Sequence, residues 1–193
     1  MIKIGKNLSE FSIYSCQPKT KYELVKIIEH RISKEGHNCD LNEIDTSLIT
    51  DMSYLFFKSN FNGDISKWDT SKVEDMSCIF AESDFNGNIS NWDVSNVTNM
   101  INTFNESVFT GDISNWNVSN CTTMIGMFAH SKFNGDISNW NMRNVSDAYA
   151  MFYKSEFNQD ISNWNINATC DIRQMFDYCP IKDEYKPKSL EVQ

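Results

Sequence analysis

The sequence predicts an α/β solenoid: units of 24 residues coil into one stack with a six-stranded parallel sheet on one side and short helices on the other. Three observations predict it. Tryptophan occurs at Trp68, Trp92, Trp116, Trp140 and Trp164, every gap being 24. Phenylalanine keeps the same step twice, at Phe61, Phe85, Phe109, Phe133, Phe157 and at Phe56, Phe80, Phe104, Phe128, Phe152, Phe176. Isoleucine follows at Ile65, Ile89, Ile113, Ile137 and Ile161. Series locked to one period mark a repeat architecture, in which no unit can bury its apolar face alone and stacking makes the core.

Residues 1–38 read as an N-terminal cap. IKI and FSIY around Gly5-Lys6-Asn7 predict a short hairpin. A helix over about 20–36 follows: Thr20 and Glu23 form a capping box, Leu24, Ile28 and Ile32 share a face, and Gly36 stops it. The repeats occupy 39–177. The first is degenerate, with Ile44 where later units carry tryptophan.

Within a unit, Gly63-Asp64-Ile65-Ser66-Lys67-Trp68 follows an Asn-Gly turn signal and alternates apolar with polar at its start. It predicts a strand. The set is then 40–44, 64–68, 88–92, 112–116, 136–140 and 160–164. Thr50-Asp51-Met52-Ser53-Tyr54-Leu55-Phe56 opens with a capping residue and places Met52, Leu55 and Phe56 at i, i+3 and i+4. That spacing predicts a short helix. The inward set of a unit is Phe61, Ile65, Trp68, Val73, Met76 and Phe80, each side chain worth roughly 1.5–3 kcal/mol on burial. Residues 178–193, Pro-broken and charged, read as a cap and loose tail.

Net charge is −9 and the sequence pI about 4.8. Nucleic acid needs a basic face and anionic membrane a basic patch, so neither is an expected partner. No apolar run is long enough to span a membrane, so no insertion is expected. With no secretory leader behind Met1 the expected location is cytoplasmic; cell surface or secretion is the alternative if a leader has been removed. The six cysteines share no position in the unit, so a disulfide ladder is not expected, and there is no CxxC.

Catalytic chemistry is not expected. His30, His37 and His130 fit no triad, and no P-loop, GxGxxG or HExxH occurs. No cofactor and no metal site is expected. The nonapeptide calcium repeat is missing and 24 is the wrong period for it. Asn-x-Ser/Thr sequons such as Asn96-Val97-Thr98 read as by-products of an Asn/Ser/Thr-rich repeat.

One surface feature repeats in register. If Ile65 faces inward, Asp64 and Ser66 face outward, giving columns Asp40, Asp64, Asn88, Asp112, Asp136, Asp160 and Ser66, Ser90, Ser114, Ser138, Ser162. Rungs about 4.8 Å apart would make a stripe roughly 24 Å long. It is either an acidic docking face or a set of aspartates accepting hydrogen bonds from turn amides of the adjacent rung.

FNGDISNWNMRNVSDAYAMF and FNGNISNWDVSNVTNMINTF resemble the BspA-like leucine-rich repeat, in the 24-residue variant of bacterial surface lipoproteins. The resemblance covers roughly three quarters of the chain. It implies a right-handed, leucine-rich-repeat-like coil and a role in adhesion or protein recognition. The expected function is therefore a non-catalytic module binding an unidentified partner protein; the alternatives are a cell-surface adhesin and a purely structural scaffold. Residues that break the repeat, such as Lys67, Arg143 and Gln159, should gather at an interface if binding is specific.

Overall fold

The computed structural model describes residues 17–190; the hairpin expected around Gly5-Lys6-Asn7 lies outside them. Helix α1, Lys21–Glu35, forms where the capping signals put it. The Thr20 hydroxyl accepts the Glu23 amide, and Gly36, at φ 87°, turns its amide back to Ile32. Leu24 and Ile28 of α1 are buried against the first rung. Short 3₁₀ turns lie at Asp183–Tyr185 and Lys188–Leu190.

Between α1 and those turns the 24-residue units stack in register, but they do not form the expected α/β solenoid. Among the described residues there is no strand and hence no six-stranded parallel sheet. Rungs are joined by isolated parallel bridges, at Asp40–Asp64 and along Asp51, Asp75, Asn99, Thr123, Asp147 and Asp171. The segments expected as strands, 40–44, 64–68, 88–92, 112–116, 136–140 and 160–164, are bends. In the second rung Asp64 Oδ1 accepts the Ser66 amide at 2.9 Å, and the Trp68 amide donates to the Ile65 carbonyl at 3.2 Å. The physical reason is spacing. Ile65 and Trp68 are both buried and three apart, which a period of two cannot satisfy and a closed turn can.

The short helices are absent for a second reason. Over Met52–Ser59 the Leu55, Phe57 and Ser59 amides each close a turn three residues back, on Met52, Tyr54 and Phe56. Tyr54 and Lys58 hold φ of 60° and 54°. Left-handed residues recur at 78 and 82, 102 and 106, 126 and 130, 150 and 154, 174 and 178. One such residue every four positions ends any right-handed helix.

This ribbon of turns leaves alternate amides pointing along the stack. Met52, Tyr54, Phe56 and Lys58 donate to the carbonyls of Asp75, Ser77, Ile79 and Ala81 at 2.9–3.0 Å. The same offset of 23 residues holds at each later boundary, down to Ala148, Ala150, Phe152 and Lys154 on Asp171, Arg173, Met175 and Asp177. With Ser53 donating to Asp51 Oδ1, every amide from Met52 to Ser59 has an acceptor. Backbone pairing thus runs through the segment expected to be helical.

The core is the expected one. Phe61, Ile65, Trp68, Val73, Met76 and Phe80 are buried, as are their counterparts up to the last rung, where Ile172 and Phe176 are half-buried and Thr169 is exposed. Side chains stack on their own kind along the axis. Phe56, Phe80, Phe104, Phe128 and Phe152 follow one another at ring-centroid spacings of 5.6–5.7 Å, and Trp116, Trp140 and Trp164 at 6.5 Å. Each indole also donates to the preceding rung: Trp68 to Leu41, Trp92 to Ile65, Trp116 to Ile89, Trp140 to Ile113, Trp164 to Ile137. Gly63 marks a close approach, since a Cβ there would collide with the Cys39 carbonyl of the rung before.

Candidate functional site

The expected site is the acidic column, and the bends explain where it lies. Three bends per rung start on an Asx residue whose Oδ1 takes the amide two residues on, except in the fourth rung, where Thr123 stands at the third position. In the second rung these are Asp64 with Ser66, Asp69 with Ser71 and Asp75 with Ser77, at 2.9, 3.0 and 2.7 Å. Each bend then closes with an amide three residues back: Trp68 to Ile65, Val73 to Thr70, Ile79 to Met76. The sequence signal is Asx followed two places later by Ser, written three times in DISKW, DTSKV and DMSCI. Strand and helix patterns hid it.

Asp40, Asp64, Asn88, Asp112, Asp136 and Asp160 are all exposed and fall at one position of successive rungs. Oδ1 of each accepts an amide of its own rung: Asn42 for Asp40, then Ser66, Ser90, Ser114, Ser138 and Ser162. The turn amides belong to the same rung, not to the adjacent one. The five serines are half-buried and bond the column through their amides, Ser90 also through its hydroxyl, so the outward face carries the carboxylates of Asp40, Asp64, Asp112, Asp136 and Asp160 and the amide of Asn88.

Accepting the Ser66, Ser114 and Ser162 amides holds the carboxyls of Asp64, Asp112 and Asp160 below the ordinary range. The Ser47 and Ser71 hydroxyls and amides do the same for Asp45 and Asp69 in a second column. In the third column Asp171 is held down to about 2 by the Arg173 side chain and amide. In Asp45, Asp64, Asp69, Asp112, Asp160 and Asp171 the turn bonds favour the charged form and fix its direction. In Asp64, Asp112, Asp136 and Asp160 the bond to the turn uses Oδ1.

Other repeat-breaking residues do not gather. Lys67 is in the second rung, Arg143 in the fifth and Gln159 in the sixth, so the outer two are roughly 19 Å apart along the axis. Two polar ladders went unread in the sequence. Asn96, Asn120 and Asn144 donate through Nδ2 to the carbonyls of Ser71, Ser95 and Ser119. Asn62, Asn86, Asn134 and Asn158 accept the amide 24 residues on. The sequon asparagines Asn96, Asn120 and Asn144 are thus structural ties between rungs.

Among the described residues no group of three or more His, Cys, Asp or Glu is placed to hold a metal ion. No helix among them is long and apolar enough to cross a membrane. Cys39, Cys78, Cys121, Cys170 and Cys179 are unpaired, and burial pushes the Cys121 thiol up to about 12.

These features define a repeat protein whose rungs are coils of Asx-started turns. The chain belongs to the DUF285 family, described as "Mycoplasma protein of unknown function", whose model matches residues 29–108 and 82–186. Comparison with curated proteins and with solved structures found no match.

Proposed function

We propose that the chain is a non-catalytic protein-recognition module that presents the column Asp40, Asp64, Asn88, Asp112, Asp136, Asp160 to a basic partner surface. The observation that carries this reading is the fixed, registered presentation of the carboxylates. Each is exposed and aimed by its own turn, with Oδ1 on that turn. A fixed charge array spends less side-chain entropy on binding than free side chains would. The likeness of the DIS-x-W and VT-x-M-x-x-x-F strings to BspA-like repeats supports a recognition role of the adhesion type.

The test uses immobilised chain and a lysate of its own cells. Proteins retained by the wild type should be released as salt rises, because exposed charges are screened beyond about 8 Å at physiological ionic strength. Asp64→Asn, Asp112→Asn and Asp136→Asn together keep the turn acceptors and remove three charges. Unchanged retention by that variant, with an unchanged circular-dichroism spectrum, overturns the reading.

A further inference from the structure

The backbone of the stack has a direction, and one end of it is open. Each rung donates alternate amides to carbonyls of the next. In the last rung Met175, Asp177 and Cys179 close their turns on Ile172, Gln174 and Phe176, as Leu55, Phe57 and Ser59 do in the first. The amides of Ile172, Gln174, Phe176 and Tyr178 have no acceptor among the described residues. Phe176 stacks on Phe152 at 5.8 Å with 5° between planes, yet it is half-buried where the earlier members of its column are buried. The 180–190 segment covers mainly the other limb of this rung, where Ile161 donates to Tyr185 and Ser189 to Trp164, and reaches the open limb only with Lys186, whose Nζ lies 5.9 Å from the Phe176 ring centroid. Tyr178, 79% exposed, sits on the uncovered limb.

We infer that this edge docks one segment of another polypeptide in the same ribbon-of-turns conformation, a repeat unit carried by a different protein. Its alternate carbonyls would meet the four amides and its phenylalanine would cover Phe176. The edge continues a pairing that the molecule already makes at every rung boundary. Its polarity excludes other occupants. A plain strand sets an amide beside each carbonyl on the same side, so half its groups would oppose donors. The same edge of a second copy offers donors to donors. The complementary carbonyl row of a second copy, at Asp51, Ser53, Leu55 and Phe57, lies at the first rung beside α1, whose Lys21 pairs with Asp51 and bonds the Ser53 hydroxyl at the start of that row.

The probe is a synthetic peptide of the chain's own acceptor segment, Asn99–Glu106, titrated into the ¹⁵N-labelled full chain. The amide signals of Ile172, Gln174, Phe176 and Tyr178 should shift together. A peptide with alanine in place of its phenylalanine should bind about tenfold more weakly or worse, and so should the Phe176→Ala chain. If that variant fails to fold, the peptide pair still decides. The docking surface is separate from the acidic column, so the Asp64, Asp112 and Asp136 to Asn variant should bind the peptide as the wild type does. Absence of shifts at these amides, equal binding of both peptides, or loss of binding in the Asp variant overturns the inference. So does movement of the same signals with protein concentration alone, which would make a second copy the occupant.

Discussion

The indole Nε1 of Trp116 donates to the backbone carbonyl of Ile89, 3.1 Å away in the preceding rung. The side chain is 3% exposed, so it fills the core and satisfies a carbonyl that no water reaches.

Two losses can therefore be separated at Trp116. Trp116→Ala should destabilise by about 3–5 kcal/mol through the cavity and the lost contacts. Trp116→Phe keeps an aromatic ring but removes one of the two bonds on the Ile89 carbonyl, which still accepts the Trp92 amide, and should cost about 0.5–1.5 kcal/mol. Asn115→Ala, at an exposed neighbour, should stay within about 0.5 kcal/mol. Denaturant midpoints check all three, and equal midpoints for the Trp116→Ala and Asn115→Ala variants refute the inside–outside assignment.

Ala150 distinguishes the turn ribbon from the helix that the sequence pattern suggests. Its φ is 54°, a left-handed conformation costing an alanine roughly 1–2 kcal/mol. Glycine is free of that strain but loses roughly 0.5–1 kcal/mol more in backbone entropy. Ala150→Gly should thus be neutral or stabilising by up to about 1.5 kcal/mol. In a helix interior the same change would destabilise by about 1 kcal/mol. A lowered midpoint would argue for a helical segment.

The contrast shows which signals a single sequence carries here. Period and core were legible because Trp68, Phe61 and Phe80 recur without a break and only a stack buries such a series. Helix α1 was legible because Thr20, Glu23 and Gly36 are local signals. Helix was read where Met52, Leu55 and Phe56 stand at i, i+3 and i+4, a spacing that a run of closed turns also satisfies. Nothing warned of positive φ at Tyr54, Cys78, Gln174 or Lys58, since Asn102 and Gly126 alone in their column are residue types that favour it. The acidic column was legible as a register. Its turn chemistry was not, because Asp64-Ile65-Ser66 fits the polar–apolar alternation of a strand as well as an Asx turn.

Asn120 ties its rung to the one before through Nδ2 and the Ser95 carbonyl, 2.7 Å apart. Asn120→Ala should destabilise by about 0.5–1.5 kcal/mol, the net value of an ordinary hydrogen bond. Asn120→Asp should be worse, because it sets a carboxylate oxygen against that carbonyl. Thermal unfolding of the two variants gives the order, and a more stable Asp variant would show that the tie contributes nothing.

Acid should unfold the chain by titrating its turns. The carboxyls of Asp64, Asp112 and Asp160 lie below the ordinary range because the Ser66, Ser114 and Ser162 amides donate to them. Two effects compete in such a column. Stacked carboxylates roughly 4.8 Å apart repel and would raise each pKa, whereas the amide bonds lower it. For Asp64, Asp112 and Asp160 the net direction is down, with the backbone amide of the turn serine the largest cause. A folded carboxyl below its unfolded value of about 3.9 binds fewer protons than the unfolded chain does. Its contribution is then fully present above about pH 4 and is lost as pH falls through the folded value. Asp171, held to about 2 by Arg173, yields last. The unfolding midpoint should therefore be flat near neutrality and fall between about pH 4 and about pH 2. Asparagine at 64, 112 and 136 keeps an oxygen for the turn amide and cannot titrate, so that variant should show a shallower acid slope. A midpoint that rises toward pH 2 in the wild type would mean that carboxylate repulsion, and not the turn bonds, governs the column.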